Sequence, residues 1–175
     1  DYSNKAALAN AGYAVTEASE YLLVDDSNQI CASLLGKPLS RVDIVCDNAG
    51  PELLIDLALA DYLLASGAAL EVVFHLKGQP LFVSDAMPKD VFASLQSLRG
   101  ADDRRLAELG EKLQRWLDHG RLNLRADPFW TTCLTLFEIP ESVMRDLAAD
   151  FLLLKGDVNY RRLLDDRRWP YTTPL

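Results

Sequence analysis

The sequence predicts an α/β fold: a three-layer α/β/α, Rossmann-like domain with a mostly parallel sheet and a short helical amino-terminal flank. Three observations point there. Strand-like apolar runs alternate with helix-patterned segments along the chain, which is the order that builds parallel sheets. Prolines stand at the helix starts, as Pro51 and Pro88 do. Runs such as VVF and FLLL are apolar at consecutive positions, as expected of strands buried on both faces.

In chain order, residues 1–40 read as a helical flank or connector. AALANAGYAV and ICASLLG are separated by the polar VDDSNQ and closed by Gly36-Lys37-Pro38. From residue 41 to residue 175 the pattern becomes that of an α/β core. RVDIVC is a β-branched strand ending in DNAG, and PELLIDLALADYLLAS is the helix after it. ALEVVFHLK is a second strand, and after GQP the short apolar LFVS reads as a third, ending in Asp85. A helix runs from Pro88 to about Leu98. Leu106, Leu109, Leu113, Trp116 and Leu117 then fall at helical spacing, giving an amphipathic helix that stops at Gly120. RLNLRAD reads as a strand, PESVMRDLAAD as a helix, FLLL as a buried strand and NYRRLLDDRRW as the closing helix. Internal repeats and low-complexity linkers are absent.

With 175 residues, 49% of them hydrophobic and 25% charged, the chain has the balance of a water-soluble globular domain. A formal charge of −8 opposes nucleic acid and anionic membranes as partners. A small phosphate ester is still admissible, because one cation and a few donors reverse the potential inside a single pocket. The three cysteines, Cys31, Cys46 and Cys133, lack CxxC spacing and read as reduced, buried thiols. No run reaches membrane-span length and the first residues do not resemble a signal peptide, so the expected setting is cytoplasmic.

In open parallel sheets ligands bind beyond the carboxyl ends of the strands, so the polar residues stationed there are the candidates for chemistry. Asp47 and Asn48 end one apolar run and Asp85 ends another. Three oxygen donors suit a hard divalent cation, although Asp and Asn after a strand also serve as plain helix caps. KGDVNYR follows FLLL, where Lys155 and Arg161 could face a phosphate or Asp157 could simply cap the helix. Glu52, one turn before Asp56, is near enough to assist the Asp47-Asn48 corner or merely to complement the helix dipole. His75 and His119 lack zinc-like spacing and read as structural, and the three tryptophans as core or rim. Neither a Walker motif nor GxGxxG after a strand is present.

The segments RVDIVCDNAGPELLIDLALADYLL, VVFHLKGQPLFVSDAMPKDV and LLLKGDVNYRRLLDDRRWP resemble the damage-control phosphatases, a family of metal-dependent enzymes with one subfamily also described as acidic-residue protein methyltransferases. The resemblance implies a three-layer α/β/α domain that binds Mn²⁺ or Mg²⁺, with Ni²⁺ or Co²⁺ as substitutes. It implies hydrolysis of phosphate monoesters of small metabolites such as fructose 1-phosphate and fructose 6-phosphate. Carried over by motif, the metal ligands and catalytic residues are Asp47, Asn48 and Asp85. The substrate-binding stretch is Asp157, Val158, Asn159, Tyr160 and Arg161, with Lys155 beside it. Asp47 is expected to take part most directly. The subfamily's Arg-Thr-x-Lys motif, which lies beyond TTP, is not found before Leu175, so the chain reads as lacking the carboxyl-terminal part of the family domain.

Two other functions compete: S-adenosylmethionine-dependent methylation of protein glutamates, suggested by the subfamily's other description, and a non-catalytic remnant that binds metal or phosphate. If Asp85 belongs to a crowded acidic corner, Asp85→Ala should leave the fold as stable as before, or slightly more so.

Overall fold

A computed structural model describes residues 24–170, 172 and 173, and within them the α/β expectation holds. Strands β1 (Leu39–Val45), β2 (Ala69–Lys77), β3 (Leu122–Asp127) and β4 (Phe151–Leu154) form one sheet in the order β3-β2-β1-β4. Every pairing is parallel. The helices are α1 (Ser27–Leu35), α2 (Pro51–Ala65), α3 (Pro88–Arg99), α4 (Arg104–Asp118), α5 (Glu141–Asp146) and α6 (Asp157–Leu163), with short 3₁₀ turns at Pro128–Thr131 and Leu136–Glu138.

Residue alternation along the strands divides the core between the two faces of the sheet. Val42, Ile44, Val72, Phe74, Leu76 and Leu122 pack with α2, α3 and α4 through side chains such as Leu57, Leu95 and Leu113. On the opposite face Val45 meets the buried Phe129, Trp130 and Val143, carried by the first 3₁₀ turn and α5, with the partly buried Leu136, Ile139, Leu147 and Leu154 packed against them. His75 lies on that second face and faces the Asp43 carboxylate at 2.9 Å, with Trp130 edge-on to its ring.

The chain first builds the sheet in one direction, β1 to β2 to β3, and then returns to place β4 on the other side of β1. This reversal makes the carboxyl ends of β1 and β4 a topological switch point, where open α/β sheets leave a crevice.

Three expectations need correction. LFVS is not a strand: residues 81–84 are bends and turn, and Asp85 contributes only an isolated bridge to Asn48. The reason is local, because the Asp85 carboxylate takes the Leu81 and Phe82 N–H groups at 2.7 Å each, so the segment folds around its own aspartate. FLLL is a strand, but as an edge strand it is only partly covered, with Leu152 exposed. Of the cysteines, only Cys46 is buried; Cys31 and Cys133 are exposed. Cys31 sits on α1, which buries none of its residues. The segment AALANAGYAV lies outside the described residues.

Candidate active site

The sheet register assembles the site. Val45 of β1 is opposite His75 of β2 and Leu154 of β4, so continuing each strand brings Asp47 beside Lys77 on one side and Gly156 on the other. Gly156 has φ of 83°, and a Cβ on it would overlap the Asp47 carboxylate. Only glycine lets the β4 loop approach this closely. The third strand end is replaced by the 81–85 turn, which the backbone fastens to the corner. Ala49 N donates to Ser84 O at 2.7 Å and Ala86 N donates to Asp47 O at 2.9 Å, flanking the Asn48–Asp85 bridge. Asp85, distant in sequence from the adjacent Asp47 and Asn48, is thus brought to them at the switch point.

Asp47 and Asp85 are buried, 6% and 3% exposed, and both reach the ammonium of Lys77. The distances are 3.2 Å from Nζ to Asp47 Oδ1 and 3.0 Å to Asp85 Oδ1. Burial pushes the Asp85 pKa up, but the Phe82 N–H, Lys77 and the Leu81 N–H outweigh it and leave the group below its ordinary 3.8. Asn48 Nδ2 donates to Asp47 Oδ2 at 2.8 Å and to Glu52 Oε2 at 3.0 Å. Its Oδ1 accepts from Ser84 Oγ at 2.7 Å. Two carboxylates require the amide nitrogen, so the amide oxygen is turned the other way.

Behind Asn48 lies a second ionic group. Lys155 Nζ contacts Asp56 Oδ1 at 2.6 Å and Glu52 Oε1 at 2.9 Å. Burial lowers the Lys155 pKa, yet its two carboxylate partners prevail and hold it above 10.5. Burial likewise raises Asp56, whose Oδ2 has no partner among the described residues. Lys155 therefore points into the protein and is joined to the candidate corner through Glu52.

The residues after β4 divide by direction. Asn159 is buried, donating to Lys155 O at 2.8 Å and accepting from Arg162 Nη1 at 2.9 Å. Arg162, also buried, donates to the main-chain oxygens of Trp130 and Thr132. Val158 and Arg161 line a cleft with Leu81, Phe82, Arg162 and Cys133. Arg161 is held by Asp166 through two contacts of 2.8 Å, and Asp157 and Tyr160 are exposed beside it. Lys77 and Arg162 escaped the sequence reading. The signal for Lys77 was a lysine closing an apolar strand; only the register shows that it faces two acids.

Asp47 and Asp85 supply hard oxygen donors around a point where a cation, the Lys77 ammonium, is already attracted, and Asn48, bridged to Asp85, adds an amide oxygen that accepts from Ser84 Oγ; that donor set, two carboxylates and an amide oxygen, fits Mg²⁺ or Mn²⁺. With two carboxylates and one amide, it lacks the three acidic, His or Cys side chains of a richer centre. No such group of three occurs among the described residues.

The family described as the damage-control phosphatase ARMT1-like domain matches residues 3–175. The chain is 37% identical over 173 residues to the damage-control phosphatase ARMT1 of Xenopus tropicalis, covering 89% of this chain and 38% of that protein. It is 33% identical over 168 residues to the Danio rerio protein of the same name, again 89% and 38%. With the Mus musculus protein it shares 33% over 184 residues, 99% of this chain and 41% of the relative. The chain thus spans about two-fifths of the length of these curated relatives. With the family match running over residues 3–175, the chain belongs to the ARMT1-like damage-control phosphatase family.

Proposed function

We propose that this chain carries the metal-binding and phosphate-facing corner of a phosphatase that hydrolyses phosphate monoesters of small metabolites, with sugar phosphates such as fructose 1-phosphate and fructose 6-phosphate as substrates. The observation that carries the reading is the meeting of Asp47, Asn48 and Asp85 at the switch point, supported by the family to which the chain belongs. Asp47, Asn48 and Asp85 are the residues that would hold a divalent cation, Mn²⁺ or Mg²⁺. When bound, that cation supplies Lewis-acid polarisation of a phosphoryl oxygen.

The protein's own groups do the rest. Asp47, packed closely against Gly156, would act directly on the reacting phosphate or its water. Glu52 holds the Asn48 amide nitrogen and so turns its oxygen toward Ser84. Arg161, fixed by Asp166 and lining the cleft, keeps N–H groups for an anionic substrate. Val158 gives the cleft an apolar wall, and Asp157 and Tyr160 stand exposed beside it, within reach of sugar hydroxyls. Asn159 and Lys155 take part by shaping the loop from within. No helix among the described residues is long and apolar enough to cross a membrane.

The test is phosphate release from a panel of sugar phosphates by the full-length protein, with and without Mn²⁺. We expect Mn²⁺-dependent release that Asp47→Asn abolishes. Release from none of the panel, in a folded protein that binds Mn²⁺, would reject the activity.

A further inference from the structure

Lys77 closes β2 and is 1% exposed, among the largest fully buried side chains of the described residues. Its ammonium meets three acceptors: Asp47 Oδ1 at 3.2 Å, the Asp47 main-chain oxygen at 3.2 Å and Asp85 Oδ1 at 3.0 Å. Three acceptors match three ammonium protons, so the group is saturated where it stands. Its main chain is tied to the same place, since Lys77 N donates to Ala86 O at 3.1 Å and Ala86 N donates to Asp47 O. Lysine is seldom fully buried unless paired, and here its pairs are two of the three proposed cation ligands.

We propose that Lys77 is a resident counter-cation of the site, holding the charges of Asp47 and Asp85 and competing with a divalent cation for them, so that it sets how tightly the site takes metal. The inference rests on the reading of Asp47, Asn48 and Asp85 as cation ligands.

The sign of the effect follows from what positions the carboxylates. Asp85 Oδ2 is held by the Leu81 and Phe82 N–H groups, and its backbone is bridged to Asn48. Asp47 is confined by Gly156 and receives Asn48 Nδ2 on Oδ2. None of these contacts involves Lys77. Removing the ammonium therefore leaves the ligand oxygens in place while deleting a positive charge that would repel an incoming cation at close range, where the low dielectric makes repulsion strong. Without a cation the same deletion leaves two buried carboxylates facing each other with nothing between them, which destabilises the fold. One residue thus moves stability and metal affinity in opposite directions, which a merely structural lysine would not do.

The experiment compares the full-length parent, Lys77→Met and Lys77→Arg after chelator treatment. It follows thermal unfolding without metal and Mn²⁺ affinity through the EPR signal of the free ion. The expected result is a lower melting temperature for Lys77→Met without metal and Mn²⁺ binding at least tenfold tighter than in the parent, with Lys77→Arg binding no tighter than the parent. Should Lys77→Met fail to fold, Lys77→Gln carries the same expectation. Mn²⁺ affinity unchanged or weakened in the neutral variant, with the parent binding normally, overturns the role of Lys77 while leaving the ligand assignment standing. Failure of the parent itself to bind Mn²⁺ overturns both.

Discussion

The side-chain amide of Asn48 has one orientation that satisfies its surroundings, because Asp47 and Glu52 both offer only acceptors to it. Glu52 is in turn held by Lys155. Burial pushes the Glu52 carboxyl up, yet the Lys155 and Asn48 hydrogen bonds prevail and keep it below 4.5, so it remains an acceptor throughout the neutral range. Glu52 is thus a positioning residue. Glu52→Gln lets the Asn48 amide turn over, and outer partners of metal ligands are typically worth tenfold to a hundredfold in affinity. Mn²⁺ binding should weaken by about tenfold in a titration; unchanged binding would show that Asp47 orients the amide alone. Gly156 offers a sharper test, since alanine there meets both a positive φ and the Asp47 carboxylate. Gly156→Ala should cost about 2 kcal/mol or more in denaturant unfolding. A variant as stable as the parent would mean that the loop moves easily away from Asp47.

At the scale of elements, the strands and long helices were legible in the sequence because each carries its own period. The 81–85 segment was not. LFVS has the composition of a strand, but its N–H groups are satisfied by an aspartate four residues on, and composition does not report such local competition. Lys77 was illegible for a different reason: its partners lie 30 residues back and eight residues on, and only strand register and the bridge bring them together. Cys31 and Cys133 were misread because helices and turns that cover no core still contain apolar residues. Asp47, Asn48 and Asp85 were singled out by motif and strand-end position together, which is enough to choose residues but says nothing of the lysine between them.

That lysine reverses an expectation. Asp85→Ala was expected to relieve crowding, yet in the structure Asp85 caps two N–H groups and neutralises Lys77, so its removal leaves orphaned donors and a buried ammonium with one carboxylate instead of two. The variant should lose roughly 2–4 kcal/mol. Asp85→Asn, which keeps an acceptor, should lose less. The pH dependence has a definite sign as well. The folded pKa of Asp85 lies below 3.8, so its contribution is present above that value and is lost as pH falls through the depressed one. The acid limb of the stability curve should be flatter in Asp85→Asn; parallel limbs would show that other carboxylates govern acid unfolding.

For the molecule as a whole, the two faces of the sheet are unequally supported. One face is packed by α2 and α4, of 15 residues each, and by α3, of 12. The other rests on 3₁₀ turns and on α5 and α6, of six and seven residues. Helices that short are not stable alone and depend on their few tertiary contacts. Here those contacts are the Phe129, Trp130 and Val143 cluster and the Arg162 guanidinium, which ties α6 to the turn at 130–132. Local opening should therefore begin on the second face, freeing the 128–163 segment while β1, β2 and α2 stay closed. Hydrogen exchange followed by mass spectrometry should find the slowest amides in β1 and β2 and markedly faster ones in α5 and α6. Because Asp47 and the loop before α6 touch, a cation bound at Asp47, Asn48 and Asp85 favours the closed form of that loop, and Mn²⁺ should slow exchange in α6 more than in α4. Equal protection of α5, α6 and β1 would contradict the unequal support of the two faces. A Mn²⁺ effect confined to residues 47–48 and 81–85 would contradict the coupling to α6.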